Sequence, residues 1–79
     1  MERKELEKKL TSIFRKVFNV DTLELSGELT ANDVEGWDSL SHMILIAEIE
    51  NDLSIRFKLK ELNRMRNVGD MLDIIESKF

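Results

Sequence analysis

Apolar residues at Leu6, Leu10, Ile13, Phe14, Val17 and Phe18 recur at steps of four, three, one, three and one. That spacing lays them on one face of a helix over residues 3–18, and no Pro or Gly interrupts it. The period then breaks. Asn19, Asp21, Ser26, Gly27, Asn32, Asp33 and Gly36 are turn-forming types, and they predict a connection running to Asp38. So long a connection is unusual in a compact domain. Leu23, Leu25, Leu29, Val34 and Trp37 argue that it packs onto the helices, with a short helical turn near 31–34.

Asp38 offers an N-cap to a second helix, with Ser39 at its first position and Leu53 at its end. Residues 54–58 connect, residues 59–65 allow one or two helical turns, and Asn67 caps a last helix with Asp70 in a capping-box-like position. The last stripe is Val68, Met71, Leu72, Ile75 and Phe79. No strand alternation persists. The expected fold is all-α: a four-helix bundle of three longer helices and one short helix, with a long loop between the first and second, forming a single domain over residues 1–79.

The second helix has more apolar surface than a core requires. With Ser39 at zero and ~100° per residue, His42, Leu45, Ile46, Ile49 and Leu53 fall between roughly 240° and 340°. Leu40, Met43, Ile44 and Ala47 fall between roughly 40° and 140°, a second apolar face. Glu48 lies beyond that face, near Ser41 and Asp52. The second face is either covered by another element, such as the short helix, or offered to a partner. A chain of 79 residues has little left to cover it with.

Charge changes the picture. The net charge is −4, but residues 17–55 hold nine acids and no Lys or Arg, while residues 1–16 carry a net +3 and residues 56–66 a net +4. A central acidic block repels nucleic acid and attracts basic protein surfaces. With no Cys there is no disulfide, thiol nucleophile or Cys-based zinc site, and one His and no Tyr leave little for acid–base catalysis. No apolar run approaches the ~20 residues of a membrane span. The charged N-terminus lacks the apolar core of a signal peptide, so the expected location is the cytoplasm.

Single residues admit rival readings. Ser39 and His42 are three apart, but a Ser–His hydrolase needs an orienting acid and an oxyanion hole that the sequence does not supply. His42 belongs to the core stripe and is expected to be partly buried. Setting Gly36 at the sixth position of a calcium loop puts Ala31 first and His42 twelfth, where carboxylates are needed, so no metal site is expected. Trp37 reads as a packing anchor. The Ser39 hydroxyl stands at a helix N-terminus, where a covalent phosphoester is tolerated by unpaired N–H groups and the helix dipole.

Gly36-Trp37-Asp38-Ser39-Leu40 resembles the G-x-D-S-L motif of acyl carrier proteins and peptidyl carrier domains. The context agrees along essentially the whole chain: a charged amphipathic helix, a long loop with apolar anchors, Ala47-Glu48-Ile49-Glu50, Ile55-Arg56-Phe57, and Asn67-Val68-Gly69-Asp70 opening the last helix. The resemblance implies 4′-phosphopantetheine attached to Ser39, transferred from coenzyme A by a phosphopantetheinyl transferase in a magnesium-dependent reaction. The arm's thiol then holds an acyl group as a thioester for acyl-loading and acyl-accepting enzymes. It implies a non-catalytic carrier, expected to be monomeric, with Asp38, Leu40, Met43, Ile44, Ala47 and Glu48 as docking residues. Carriers of fatty acid synthesis usually show several acids on the first two turns of this helix; here those turns read Ser41, His42, Met43 and Ile44. That departure resembles stand-alone carriers of specialised pathways. The alternative is an unmodified helical interaction module that binds a partner through the Met43/Ile44 face.

Overall fold

The structure is a computed structural model describing residues 2–79. Its helices are α1 (Arg3–Phe18), α2 (Ser39–Leu53), α3 (Leu59–Leu62) and α4 (Val68–Glu76), with one turn of 3-10 helix, Ala31–Asp33, inside the long loop. No strand occurs among the described residues. Three longer helices, one short one and a long first loop are the expected architecture.

α1 presents Leu6, Leu10, Ile13 and Phe14 to the core, all nearly inaccessible. It ends at Asn19, whose φ of 55° is the left-handed cap that Asn tolerates, and whose N–H returns to the Arg15 carbonyl. Against α1 pack Leu45, Ile49 and Leu53 of α2 and Val68, Met71, Leu72 and Ile75 of α4. Burying each of these aliphatic side chains contributes about 1.5–3 kcal/mol, and with so small a core each is a large share of the total.

The long loop joins this core. Val34 and Trp37 are buried in it, and Leu23, Leu25 and Leu29 pack against it half-buried. Two backbone bonds fasten its middle to the start of α4: Val68 N–H to the Leu29 carbonyl and Gly69 N–H to the Gly27 carbonyl, each 2.9 Å. Thr30 and Asp33 close a reciprocal capping box around the 3-10 turn. The turn is legible in the sequence; these stitches, between residues far apart along the chain, are not.

Two expectations need correction. Phe79 is not on the last apolar stripe: α4 ends at Glu76 and Phe79 is 54% exposed. The Ser77 hydroxyl donates to the Ile74 carbonyl at 2.6 Å, and a serine that satisfies the backbone in this way favours ending the helix. Asp70 does not complete a box on its own cap. Asn67 Oδ1 accepts from the Asp70 N–H at 2.8 Å, but the Asp70 carboxylate takes the Arg66 N–H, one residue earlier, at 3.3 Å. The short third helix is one turn, and it leaves the second face of α2 uncovered. Its N-terminal Leu59 is itself 75% exposed.

Candidate functional site

The loop delivers the chain to α2 through a tight reversal. Gly36 has φ of 87°, a left-handed backbone that a side chain would strain. Trp37 follows, 9% exposed, its indole edge-on to Phe14 at 5.2 Å and tilted against Phe18 at 5.9 Å. An aromatic cluster on α1 therefore fixes the residue two positions before Ser39.

Asp38 is the N-cap, as its sequence position implied. Its Oδ1 accepts from the Ser41 N–H at 2.9 Å. Ser41 answers: its Oγ accepts from the Asp38 N–H at 2.8 Å and donates to the Gly36 carbonyl at 2.6 Å. This closed box orients Asp38, Ser39 and Leu40 relative to the loop. Ser41 carried no role in the sequence reading; the legible signal was a hydroxyl three residues after a cap aspartate. The Ser41 N–H, donating to the Asp38 carboxylate, holds it below its ordinary 3.8, so it is ionised at neutral pH.

Ser39 is exposed at the first position of α2, and its hydroxyl takes no part in the capping bonds. Leu40, Met43 and Ile44 beside it are 74%, 54% and 50% exposed. Ala47 is exposed and Glu48 half-buried, its carboxylate meeting Lys16 of α1 at 3.1 Å. The structure thus brings together on one side of α2 the side chains predicted to dock partners, and Glu48 lies at the edge facing α1.

His42 lies on the other flank of Ser39. It is half-buried, and Trp37 Nε1–H donates to its Nδ1 at 3.0 Å with the rings nearly parallel. Burial pushes its pKa below the ordinary 6.5. The partial burial was expected, but the indole bond was not. An open groove of about 390 Å³ runs along this flank, with Trp37, Ser39, His42, Leu62, Met65 and Arg66 among its walls. Asp38 borders the same groove, but its carboxylate caps α2 through the Ser41 N–H and His42 Nδ1 is held by the Trp37 indole, so no acid orients His42 toward Ser39 as a hydrolytic site requires. Among the described residues no cluster of three or more His, Cys, Asp or Glu is placed to hold a metal ion, and no helix is long and apolar enough to cross a membrane.

Residues 8–75 match the family model described as "Phosphopantetheine attachment site". The chain belongs to the acyl carrier protein family. It is 29% identical over 76 residues to an acyl carrier protein of Thermotoga maritima, covering 96% of this chain and 94% of that one. The solution structure of holo acyl carrier protein from Geobacter metallireducens superposes with a TM-score of 0.87 at 47% identity, covering 91% of this chain and 83% of that one. The protein is therefore a non-catalytic carrier whose cofactor is covalent 4′-phosphopantetheine. The residues fit that group: a serine hydroxyl is exposed, spared from the cap, and borders an open groove. Membership also favours a carrier over an unmodified interaction module.

Proposed function

We propose that Ser39 is the attachment residue and that the carrier presents an acyl group to partner enzymes across the exposed face of α2. The observation carrying this is the Ser39 hydroxyl itself, exposed at the helix start and left free by a capping box that uses Asp38 and Ser41 instead. When bound, the arm supplies the thiol that carries acyl groups as thioesters, which this cysteine-free chain lacks. The chain's own residues do the positioning. Gly36, Trp37, Asp38 and Ser41 fix where the hydroxyl points, and the core below keeps that point rigid.

The docking residues are Asp38, Leu40, Met43, Ile44, Ala47 and Glu48. Three large apolar side chains exposed on consecutive turns are costly to leave in water unless a partner covers them intermittently. Asp38 adds negative charge at one end, suited to a basic partner rim, while Glu48 at the other end is shared with Lys16. A phosphopantetheinyl transferase and the acyl-loading and acyl-accepting enzymes would use this one face in turn. The first two turns of α2 carry no acid, which supports service to a specialised biosynthetic pathway over bulk fatty acid synthesis. We further read the chain as one domain over residues 1–79, monomeric and cytoplasmic.

Intact mass after incubation with coenzyme A, magnesium and a broad-specificity transferase tests the attachment. Wild type should gain one phosphopantetheinyl group and Ser39→Ala none. Gain by both variants would place the arm elsewhere, and gain by neither from folded chain would refute the assignment.

A further inference from the structure

His42 holds both residues that precede Ser39. Its backbone N–H donates to the Asp38 carbonyl at 2.8 Å and closes the first turn of α2. Its Nδ1 accepts from the Trp37 indole N–H at 3.0 Å, with the ring planes 19° apart. The Asp38–Ser41 box secures the backbone at the same point, but it does not reach the indole. The other aromatic neighbours of Trp37, Phe14 and Phe18 on α1, pack it without a directional bond.

One form of His42 alone can make this contact. An indole N–H donates and cannot accept, so the Nδ1 facing it carries a lone pair. The imidazole is therefore neutral, with its proton on Nε2. Protonation would set a second N–H against the indole N–H, and the bond would be lost. The surroundings resist that change. His42 is the fourth residue of α2, inside the first turn, where the helix dipole opposes a positive charge. Burial of the ring opposes it too. Asp38 and Arg66 are the charged groups on the walls of the groove that His42 borders, and they act on it in opposite senses. From α1 the neighbours of the Trp37–His42 pair are the uncharged Phe14 and Phe18.

The consequence for Ser39 lies in the chemistry of attachment. The Ser39 oxygen must bond to the phosphorus that carries pantetheine as the pyrophosphate bond of coenzyme A breaks. Adenosine 3′,5′-bisphosphate leaves, and the hydroxyl proton passes to a base of the transferase. Such a displacement needs the attacking oxygen in line with the leaving oxygen, so freedom at the helix start lowers the rate. We propose that His42 is a positioning residue for this transfer: as the neutral imidazole it ties Trp37 and Asp38 to the first turn of α2 and holds the Ser39 hydroxyl in one direction, and on protonation it releases Trp37. The carrier is then loaded more slowly in acid. This inference rests on Ser39 being the attachment residue.

The test is the rate of arm transfer, followed by intact mass against time, for wild type, His42→Phe and His42→Asn, each first shown to be folded by circular dichroism. Phe keeps a ring against Trp37 but has no acceptor. Asn places a carbonyl oxygen where Nδ1 stood and does not titrate. At neutral pH His42→Phe should lower kcat by roughly threefold or more and leave the KM for the carrier unchanged, because the exposed Leu40, Met43 and Ile44 are untouched. His42→Asn should restore most of that loss. The ratio of wild-type to His42→Asn rates cancels the transferase's own pH dependence. It should be constant while His42 is neutral and fall along the His42 titration read from its ring resonances by NMR. If His42→Phe fails to fold, that ratio alone decides. A folded His42→Phe chain loaded as fast as wild type, a loss seen in KM alone, an Asn variant as slow as Phe, or a rate ratio indifferent to the His42 titration would each overturn the positioning role and leave the attachment intact. Transfer to wild type and Ser39→Ala alike, or to neither, would refute the attachment and this inference with it.

Discussion

Glycine-to-alanine changes inside helices usually stabilise, by up to ~1 kcal/mol. Gly69, the second residue of α4, should do the opposite. A Cβ built there lies 2.9 Å from the Gly27 carbonyl oxygen, 3.3 Å from Asn67 Oδ1 and 3.4 Å from Gly27 Cα. The nearest obstacle is backbone and cannot rotate away. Relief requires the loop to retreat from α4, which breaks the Gly69–Gly27 hydrogen bond and strains the Val68–Leu29 bond beside it. Val68 is fully buried, so a lost partner for its N–H is not replaced by water. Leaving such a donor unsatisfied costs about 1–3 kcal/mol, and each bond contributes about 0.5–1.5 kcal/mol. Set against the propensity gain, Gly69→Ala should destabilise by about 1–3 kcal/mol, lowering Tm by roughly 4–8 °C per kcal/mol in a domain this small. Gly27→Ala is the control. Its Cβ would meet only Gly69 Cα at 3.8 Å, an ordinary contact, so the change should be near neutral. Urea unfolding followed by Trp37 fluorescence would report both. A Gly69→Ala chain as stable as wild type or more so would show that the loop is not fastened to α4 as described.

Three further outcomes follow from the site. Because burial lowers the His42 pKa from 6.5, the unfolded chain binds more protons than the folded one just below that value. This contribution to stability is therefore full above pH 6.5 and declines as pH falls through 6.5 towards the folded pKa, and a His42→Phe chain should lack this slope in urea titrations over the same range. Ser41→Ala removes the hydroxyl joining the Asp38 N–H to the Gly36 carbonyl; it should cost about 1 kcal/mol in urea unfolding and slow phosphopantetheinyl transfer, measured by mass against time. Ile44→Asp, at a half-exposed position outside the core, should change stability by less than about 0.5 kcal/mol and yet weaken binding to an acyl-loading enzyme, seen as a raised KM for the carrier.

Much of this was written in the sequence. The α1 stripe from Leu6 to Phe18 and the two faces of α2 are consequences of helical periodicity, and the structure buries one face of α2 and exposes the other. Asp38 and Asn67 announced themselves as caps through residue type and position. What stayed hidden depends on distance through space. Gly27 and Gly69 are 42 residues apart and nothing local says that they touch. The Trp37–His42 bond joins residues five apart across a helix start, a spacing that regular periodicity does not bring together. By residue type Ser41 reads as one more polar surface residue; its role depends on Gly36 turning its carbonyl back over it. The apolar character of Phe79 extends the stripe in the sequence, whereas Ser77, a weak helix former, ends the helix before it.

The division of labour on α2 explains why its sequence looks poorly amphipathic although its place in the bundle is well defined. A helix that only filled a core would put polar groups opposite Leu45, Ile49 and Leu53; this one puts Leu40, Met43 and Ile44 there instead. The apolar surface so exposed weakens solubility without adding to the core, which is the cost that the proposed docking by partners would offset. Rigidity at the helix start has the same logic. An arm anchored at a fraying terminus would lose the fixed geometry that successive enzymes must meet, and the Asp38–Ser41 box together with the Trp37 anchor removes that freedom. Anchor and display therefore come from neighbouring residues of opposite fate: Trp37 is driven into the aromatic cluster of α1, and two positions later Ser39 is held out in solvent.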